Sequence, residues 1–156
     1  MRVVEVETDE QLQHAWDIRH EVFVTEQAVP IEDEVDLLDR APTTSHVVAY
    51  DSETPVATGR VLSDPAHPGE VHIGRMAVRK DYRGQGVGAL VMAHLEGMAA
   101  ALHGVPDGGD LVVRIELSAQ ESAIGFYRRL GYEVVVRERY LDAGIWHQDM
   151  TREVRL

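Results

Sequence analysis

The stretch Arg79-Lys80-Asp81-Tyr82-Arg83-Gly84-Gln85-Gly86-Val87-Gly88 decides how this chain is read. Before it lies an apolar run, Val71–Val78, with the pattern of a strand. After it, Val87, Leu90, Val91, Leu95, Met98 and Leu102 recur at three- and four-residue steps and make one apolar helix face. Glycines at such a junction let backbone approach a ligand closely and leave N–H groups exposed. The helix start adds partial positive charge, and Lys80 and Arg83 add formal charge. The junction predicts an anion site, with a pyrophosphate as its natural ligand. A Walker loop is excluded, because no Lys-Ser/Thr pair follows the glycines. Gly84-Gln85-Gly86-Val87-Gly88-Ala89 does fit the dinucleotide fingerprint, and Glu116 closes the following strand as a ribose-binding acid should. Too much structure precedes that motif, however, and too few residues follow Glu116 to complete a doubly wound sheet.

Outward from the loop, Arg2–Glu7 alternates valine with charge as a first strand does, and Thr8 or Asp9 caps a helix to about His20. Val22–Val29 reads as a second short helix or turn ended by Pro30. The acidic segment Ile31–Arg40 reads as a solvated loop. Strands are predicted at His46–Tyr50 and Pro55–Leu62, a loop at Ser63–Gly69, another loop at Gly104–Gly109 and a central strand at Leu111–Leu117. Glu121–Leu130 is a short helix stopped by Gly131, and Tyr132–Val136 and Ile145–Thr151 are the last strands. The fold class is mixed α/β.

With 156 residues the chain is expected to form a single domain, 1–156. Its net charge of −12 argues against nucleic acid, because phosphate binding needs clustered Lys and Arg. No apolar stretch approaches the ~20 residues that span a bilayer. Met1–Glu10 lacks the features of a leader, and the absence of Cys removes disulfides and thiol nucleophiles. A cytoplasmic location is the resulting expectation. The eight His show no metal spacing such as H-E-x-x-H, so no metal is expected.

Arg83-x-x-Gly86-x-Gly88 resembles the acetyl-CoA pyrophosphate loop of the GNAT superfamily of N-acyltransferases. Met76-Ala77-Val78 matches the end of that superfamily's fourth strand. The run Gln120 to Tyr132, with Ala123, Phe126, Tyr127 and Gly131, is similar to its Asn-x-x-Ala-x-x-Phe-Tyr-x-x-x-Gly-Phe element, with Gln120 in place of Asn. Arg19-His20-Glu21-Val22-Phe23-Val24-Thr25-Glu26-Gln27, Ile73-Gly74-Arg75 and Gly144-Ile145-x-His147 resemble the ElaA-like branch. The resemblance implies a mostly antiparallel twisted sheet of about six or seven strands flanked by about four helices.

It also implies transfer of an acetyl group from acetyl-CoA to the primary amine of a small molecule. The cofactor contacts would be Met76, Ala77, Val78, Arg83, Gly84, Gln85, Gly86, Val87, Gly88 and Gln120. Tyr127 matches the family's general acid. An amine with a pKa of ~10.4 is almost wholly protonated at neutral pH, so a base is needed. His72 stands four residues before Met76, where some members place a catalytic Glu. Glu26 and His147 are its rivals and candidates for binding the acceptor, and the acidic segment is a further place to hold a cationic one. A protein lysine or N-terminal acceptor, a non-catalytic acyl-CoA-binding module and a homodimer all remain open.

Overall fold

Thr8 starts the first helix through a capping box: its hydroxyl accepts from the Gln11 N–H, and the Gln11 side chain accepts from the Thr8 N–H, both at 3.2 Å. The computed structural model, which describes all 156 residues, runs this helix (α1) over Asp9–Arg19. The helix continues directly into a π-helical segment, His20–Glu26, where Gln27 N–H bonds to the Val22 carbonyl five residues back. The short helix or turn expected from Val22 thus begins earlier and is wider in gauge.

The chain divides into two compact units: Met1–Leu62 with Gly74–Leu95, and Ser63–Ile73 with Glu96–Leu156. In the first unit β1 (Arg2–Glu5) lies antiparallel to β2 (Thr44–Asp51), and β2 to β3 (Thr54–Ser63). Then comes the C-terminal part of β4 (Glu70–Val78). Ala15 and Ile18 of α1 and Val22 of the π segment pack on Val48, Tyr50 and Ala77, with Val4, Val6 and Phe23 around them. The start of helix α3 (Val87–His103) lies close to β3 at Gly59. A Cβ there would fall 2.5 Å from Met76 Sδ and 2.7 Å from Leu95 Cδ1.

The acidic segment is not the solvated loop that its charge suggests. It forms helix α2 (Ile31–Glu34) and a 3-10 turn, Leu37–Arg40, and carries Glu34 and Asp39 into the interior. The wholly buried Arg19 donates to Glu34 through Nε and to Asp39 Oδ1 at 2.7 Å. Arg60 donates to Asp39 at 2.8 Å and to Asp36 at 2.9 and 3.0 Å. Trp16 Nε1 and the His46 ring close the cluster, at 3.2 Å from Asp39 Oδ2 and 2.9 Å from the Asp39 carbonyl. The reason is electrostatic: arginines that the core has already buried require carboxylates beside them.

In the second unit the first part of β4 pairs in parallel with β6 (Asp110–Gln120), from Glu70↔Arg114 to Ile73↔Leu117. β6 pairs antiparallel with β9 (Ile145–Arg155), which also pairs with β7 (Glu133–Val134) and β8 (Tyr140–Asp142). Helix α4 (Ile124–Arg129) follows a 3-10 turn at Glu121–Ala123 and ends before Gly131, whose φ is +97°. The mixed, mostly antiparallel class holds, but there are nine strands rather than six or seven. The additional ones are short. β5 (Val105–Asp107) lies inside the expected Gly104–Gly109 loop, where left-handed Gly108 and Gly109 turn it back onto β6. β8 forms a hairpin with β9 through left-handed Ala143 and Gly144. No helix is long and apolar enough to cross a membrane.

Burial raises the Asp39 pKa, but the hydrogen bonds and charges of Arg19 and Arg60 outweigh it and hold the carboxyl down to about 2. Since that lies below its ordinary value of 3.8, the stability it contributes is full above that value and drains away as pH falls toward 2. At neutral pH, Asp39→Ala removes the carboxylate shared by two buried arginines and leaves each with a single carboxylate partner, and urea denaturation should show a loss of about 3 kcal/mol. An unchanged midpoint would contradict the burial of a working ion cluster.

Candidate functional site

The two units hold different sets of the candidate residues. Glu26, Met76–Val78 and Arg83–Gly88 belong to the first; His72, Gln120, Tyr127 and His147 belong to the second.

In the first unit β4 leads to the loop through a strained residue. Arg75 has a φ of +51°, a left-handed conformation costly for a residue with a Cβ. Its guanidinium holds it there, donating to the Glu34 and Asp33 carbonyls at 3.1 and 3.2 Å and to Asp36 at 3.4 Å. Met76, Ala77 and Val78 follow, past the last rung of the parallel ladder at Ile73. Arg79 N–H then bonds to the Val56 carbonyl at 2.9 Å, and a 3-10 turn, Lys80–Tyr82, is tied to Asp51 by the Tyr82 hydroxyl at 2.9 Å.

Gly84 and Gly86 have φ values of +75° and +81°, and a Cβ at either would meet nothing within 4 Å. Conformation rather than crowding requires glycine at both. Gln85 Nε2 bonds to the Asp81 carbonyl at 3.0 Å, and Leu90 N–H closes the first turn of α3 on the Gly86 carbonyl at 3.1 Å. Arg83–Gly86 are exposed and Val87 is buried. The result is an open loop at the start of a 17-residue helix, where unpaired N–H groups and the helix dipole favour an anion. Arg83 donates Nε–H to the Val78 carbonyl at 2.9 Å and an NH2 proton to Glu26. Loop and Glu26 are therefore brought together.

In the second unit Glu116, Ser118 and Gln120 alternate along one face of β6. By register His72 stands opposite Glu116, and His147 opposite Gln120. His147 is 8% exposed; its Nδ1–H donates to the Ile145 carbonyl at 2.7 Å, which leaves Nε2 as an acceptor. Its ring stacks on Tyr140 with centroids 5.9 Å apart. The Tyr140 hydroxyl donates to Asp149 at 2.6 Å and accepts from Ser118, while Arg137 bridges Glu116 and Asp149 at 2.8 Å each. Burial, and then the bond to Asp149, raise the Tyr140 pKa. Sequence reasoning did not find this cluster, since nothing local marks Ser118, Tyr140 and Asp149 as partners.

Tyr127 keeps other company. It lies on α4 between Phe126 and Tyr132, edge-on to both at 5.0 and 5.9 Å. Tyr132 donates to the buried Glu96 at 2.8 Å, and Arg152 binds the same oxygen at 2.9 Å. Of the five carboxylates in the acidic segment, Glu34, Asp36 and Asp39 are bound by Arg19, Arg60 and Arg75, while Glu32 and Asp33 are exposed.

Comparison with known proteins extends these observations. The sequence model of the Acetyltransferase (GNAT) domain matches residues 3–154. The chain is 39% identical over 153 residues to the Uncharacterized N-acetyltransferase YjcF of Bacillus subtilis (strain 168), covering 98% of this chain and all of that one. It is 32% identical over 144 residues to Protein ElaA of Escherichia coli (strain K12), covering 92% and 88% of the two chains. Among solved structures, an acyl-CoA N-acyltransferase from Pseudomonas aeruginosa superposes with a TM-score of 0.80 at 31% identity, covering 97% of this chain and 99% of that one.

Burial pushes the Tyr127 phenol up to about 12, so it keeps its proton throughout the neutral range. In a titration of phenol absorbance, Tyr127→Phe should remove a step near pH 12. Loss of a step near pH 10 instead would show an ordinary exposed phenol.

Proposed function

Because the chain belongs to the GNAT family of acyl-CoA N-acyltransferases, in its ElaA-like branch, we propose that it moves an acetyl group from acetyl-CoA directly onto the primary amine of a small molecule. The observation that carries this reading is the open, left-handed glycine loop at the start of α3. Its shape suits a pyrophosphate, with the N–H groups of Gly84, Gln85, Gly86, Val87 and Gly88 as donors; the Arg83 N–H is already held by the Lys80 carbonyl at 3.3 Å, so Arg83 would contribute through its charge. One family model spans residues 3–154, which supports reading the chain as one catalytic domain.

Each further residue has a role in the proposal. The backbone of Met76, Ala77 and Val78 aligns the thioester, and an N–H there stabilises the developing oxyanion, an effect often worth ~3 kcal/mol. Gln120 makes a cofactor hydrogen bond. His72 takes the proton from the acceptor ammonium, by itself or through water, ahead of Glu26, whose carboxylate is bound to Arg83. The freed amine nitrogen attacks the thioester carbon, the carbon–sulfur bond breaks, and Tyr127 gives its proton to the leaving thiolate. That role suits a phenol kept protonated by burial. His147, with its Nε2 available, accepts a hydrogen bond from the acceptor. Without Cys there is no thiol to carry the acyl group, so transfer is direct.

Acetyl-CoA at 100 times its dissociation constant should stabilise the protein by ~2.7 kcal/mol in a thermal-shift assay. NADH should not stabilise it. Free thiol should then appear with one pool of small amines and not with lysine peptides. Stabilisation by NADH alone would overturn the reading, and thiol release with peptides only would move the acceptor to proteins. Tyr127→Phe should lower turnover by about a hundredfold or more while acetyl-CoA binds as before. Unchanged turnover would remove Tyr127 as the acid.

A further inference from the structure

The π-helical segment does more than finish α1. Its i→i+5 bonding brings residues five apart toward one face, and Glu21 and Glu26 have that spacing. Both reach the arginines that flank the 3-10 turn of the anion loop. Glu26 meets Arg83 with Oε1 at 3.0 Å and Oε2 at 2.9 Å from the same guanidinium nitrogen. Glu21 meets Arg79 Nε at 3.6 Å, an ion pair beyond hydrogen-bond reach, and that Nε has no hydrogen-bond partner. A second bond, from Arg83 Nε to the Val78 carbonyl, fixes the guanidinium between β4 and Glu26.

We propose that Glu26 is a positioning residue that limits the grip of the loop on CoA: it holds the Arg83 guanidinium in place and offsets its charge. The proposal rests on the acyl-CoA reading of the loop and assigns Glu26 to the cofactor rather than to the acceptor. A carboxylate beside an anion site weakens binding of each phosphate through like-charge repulsion. Its use would be in turnover. CoA is the product that must leave, and product release limits many enzymes. A loop with an unopposed Arg83 would hold that product longer. The weaker Glu21–Arg79 pair adds to the effect in the same direction.

Glu26→Gln tests this, because the amide oxygen can still accept from Arg83 while the negative charge is gone. By calorimetric titration, the variant should bind CoA and acetyl-CoA about three- to tenfold more tightly than the parent protein. Glu21→Gln should tighten them less. Pantetheine, which has no pyrophosphate, should bind parent and Glu26→Gln equally. Glu32→Gln, which removes the same charge from an exposed position, should leave CoA affinity unchanged and so separates a local effect from net charge. Equal CoA affinities for parent and Glu26→Gln would overturn the proposal while leaving the acyl-CoA reading intact. So would a Glu26→Gln variant that loses turnover with CoA affinity unchanged, since Glu26 would then act on the acceptor. A parent protein that binds neither CoA nor acetyl-CoA would overturn both.

Discussion

Arg19 lies at the end of α1 with its guanidinium 1% exposed, and the design of the first unit follows from that one buried charge. A guanidinium removed from water needs opposite charge and acceptors for its N–H groups, or it destabilises the fold by several kcal/mol. Glu34 and Asp39 meet that need, so the acidic segment has to fold inward. Asp39 in turn draws in Arg60 from β3 and Trp16 from α1, and Asp36 binds Arg60 and Arg75. Within the unit, α1, the acidic segment, β3 and β4 are thus joined by charge as well as by apolar packing. The functional consequence falls on β4. Arg75 is held in a left-handed conformation by carbonyls of the braced segment, and the three residues assigned to aligning the thioester come next.

The second unit meets a similar constraint with different residues. Glu96 is buried on α3, and Tyr132, between α4 and β7, and Arg152 of β9 satisfy it. Tyr132 then forms one wall of the place where Tyr127 sits, edge-on and shielded. Burial there keeps the phenol protonated, the state a proton donor needs. The polar face of β6 and β9 is organised separately, by Tyr140 and Arg137 around Asp149.

Most of this fold was legible in the sequence, for physical reasons. The long helix is apolar at three- and four-residue steps, and the loop glycines stand where a left-handed backbone is required. Thr8 and Gln11 make the cap their types predict. What was not legible is equally specific. Ile31–Arg40 carries five carboxylates and no apolar periodicity, so it reads as a solvated stretch. Only the positions of Arg19, Arg60 and Arg75 in three dimensions reveal that three of those carboxylates are bound. The π-helical widening after His20 leaves no mark on composition. β5 and β8 are three residues each, too short for alternation to show, and β5 contains a proline. At the candidate site the loop could be read because its residues are contiguous. Glu26 and Arg83, 57 residues apart, and the Ser118–Tyr140–Asp149 cluster could not.

The loop at Arg83–Gly88 is the element from which the functional reading proceeds, and where CoA places its pyrophosphate tests it most directly. A crystal structure of the protein with CoA is expected to show the pyrophosphate oxygens within hydrogen-bond distance of the backbone N–H groups between Arg83 and Gly88, with Gly84 and Gly86 still left-handed. CoA bound in a single ordered pose with its pyrophosphate on any other element would contradict the assignment of this loop.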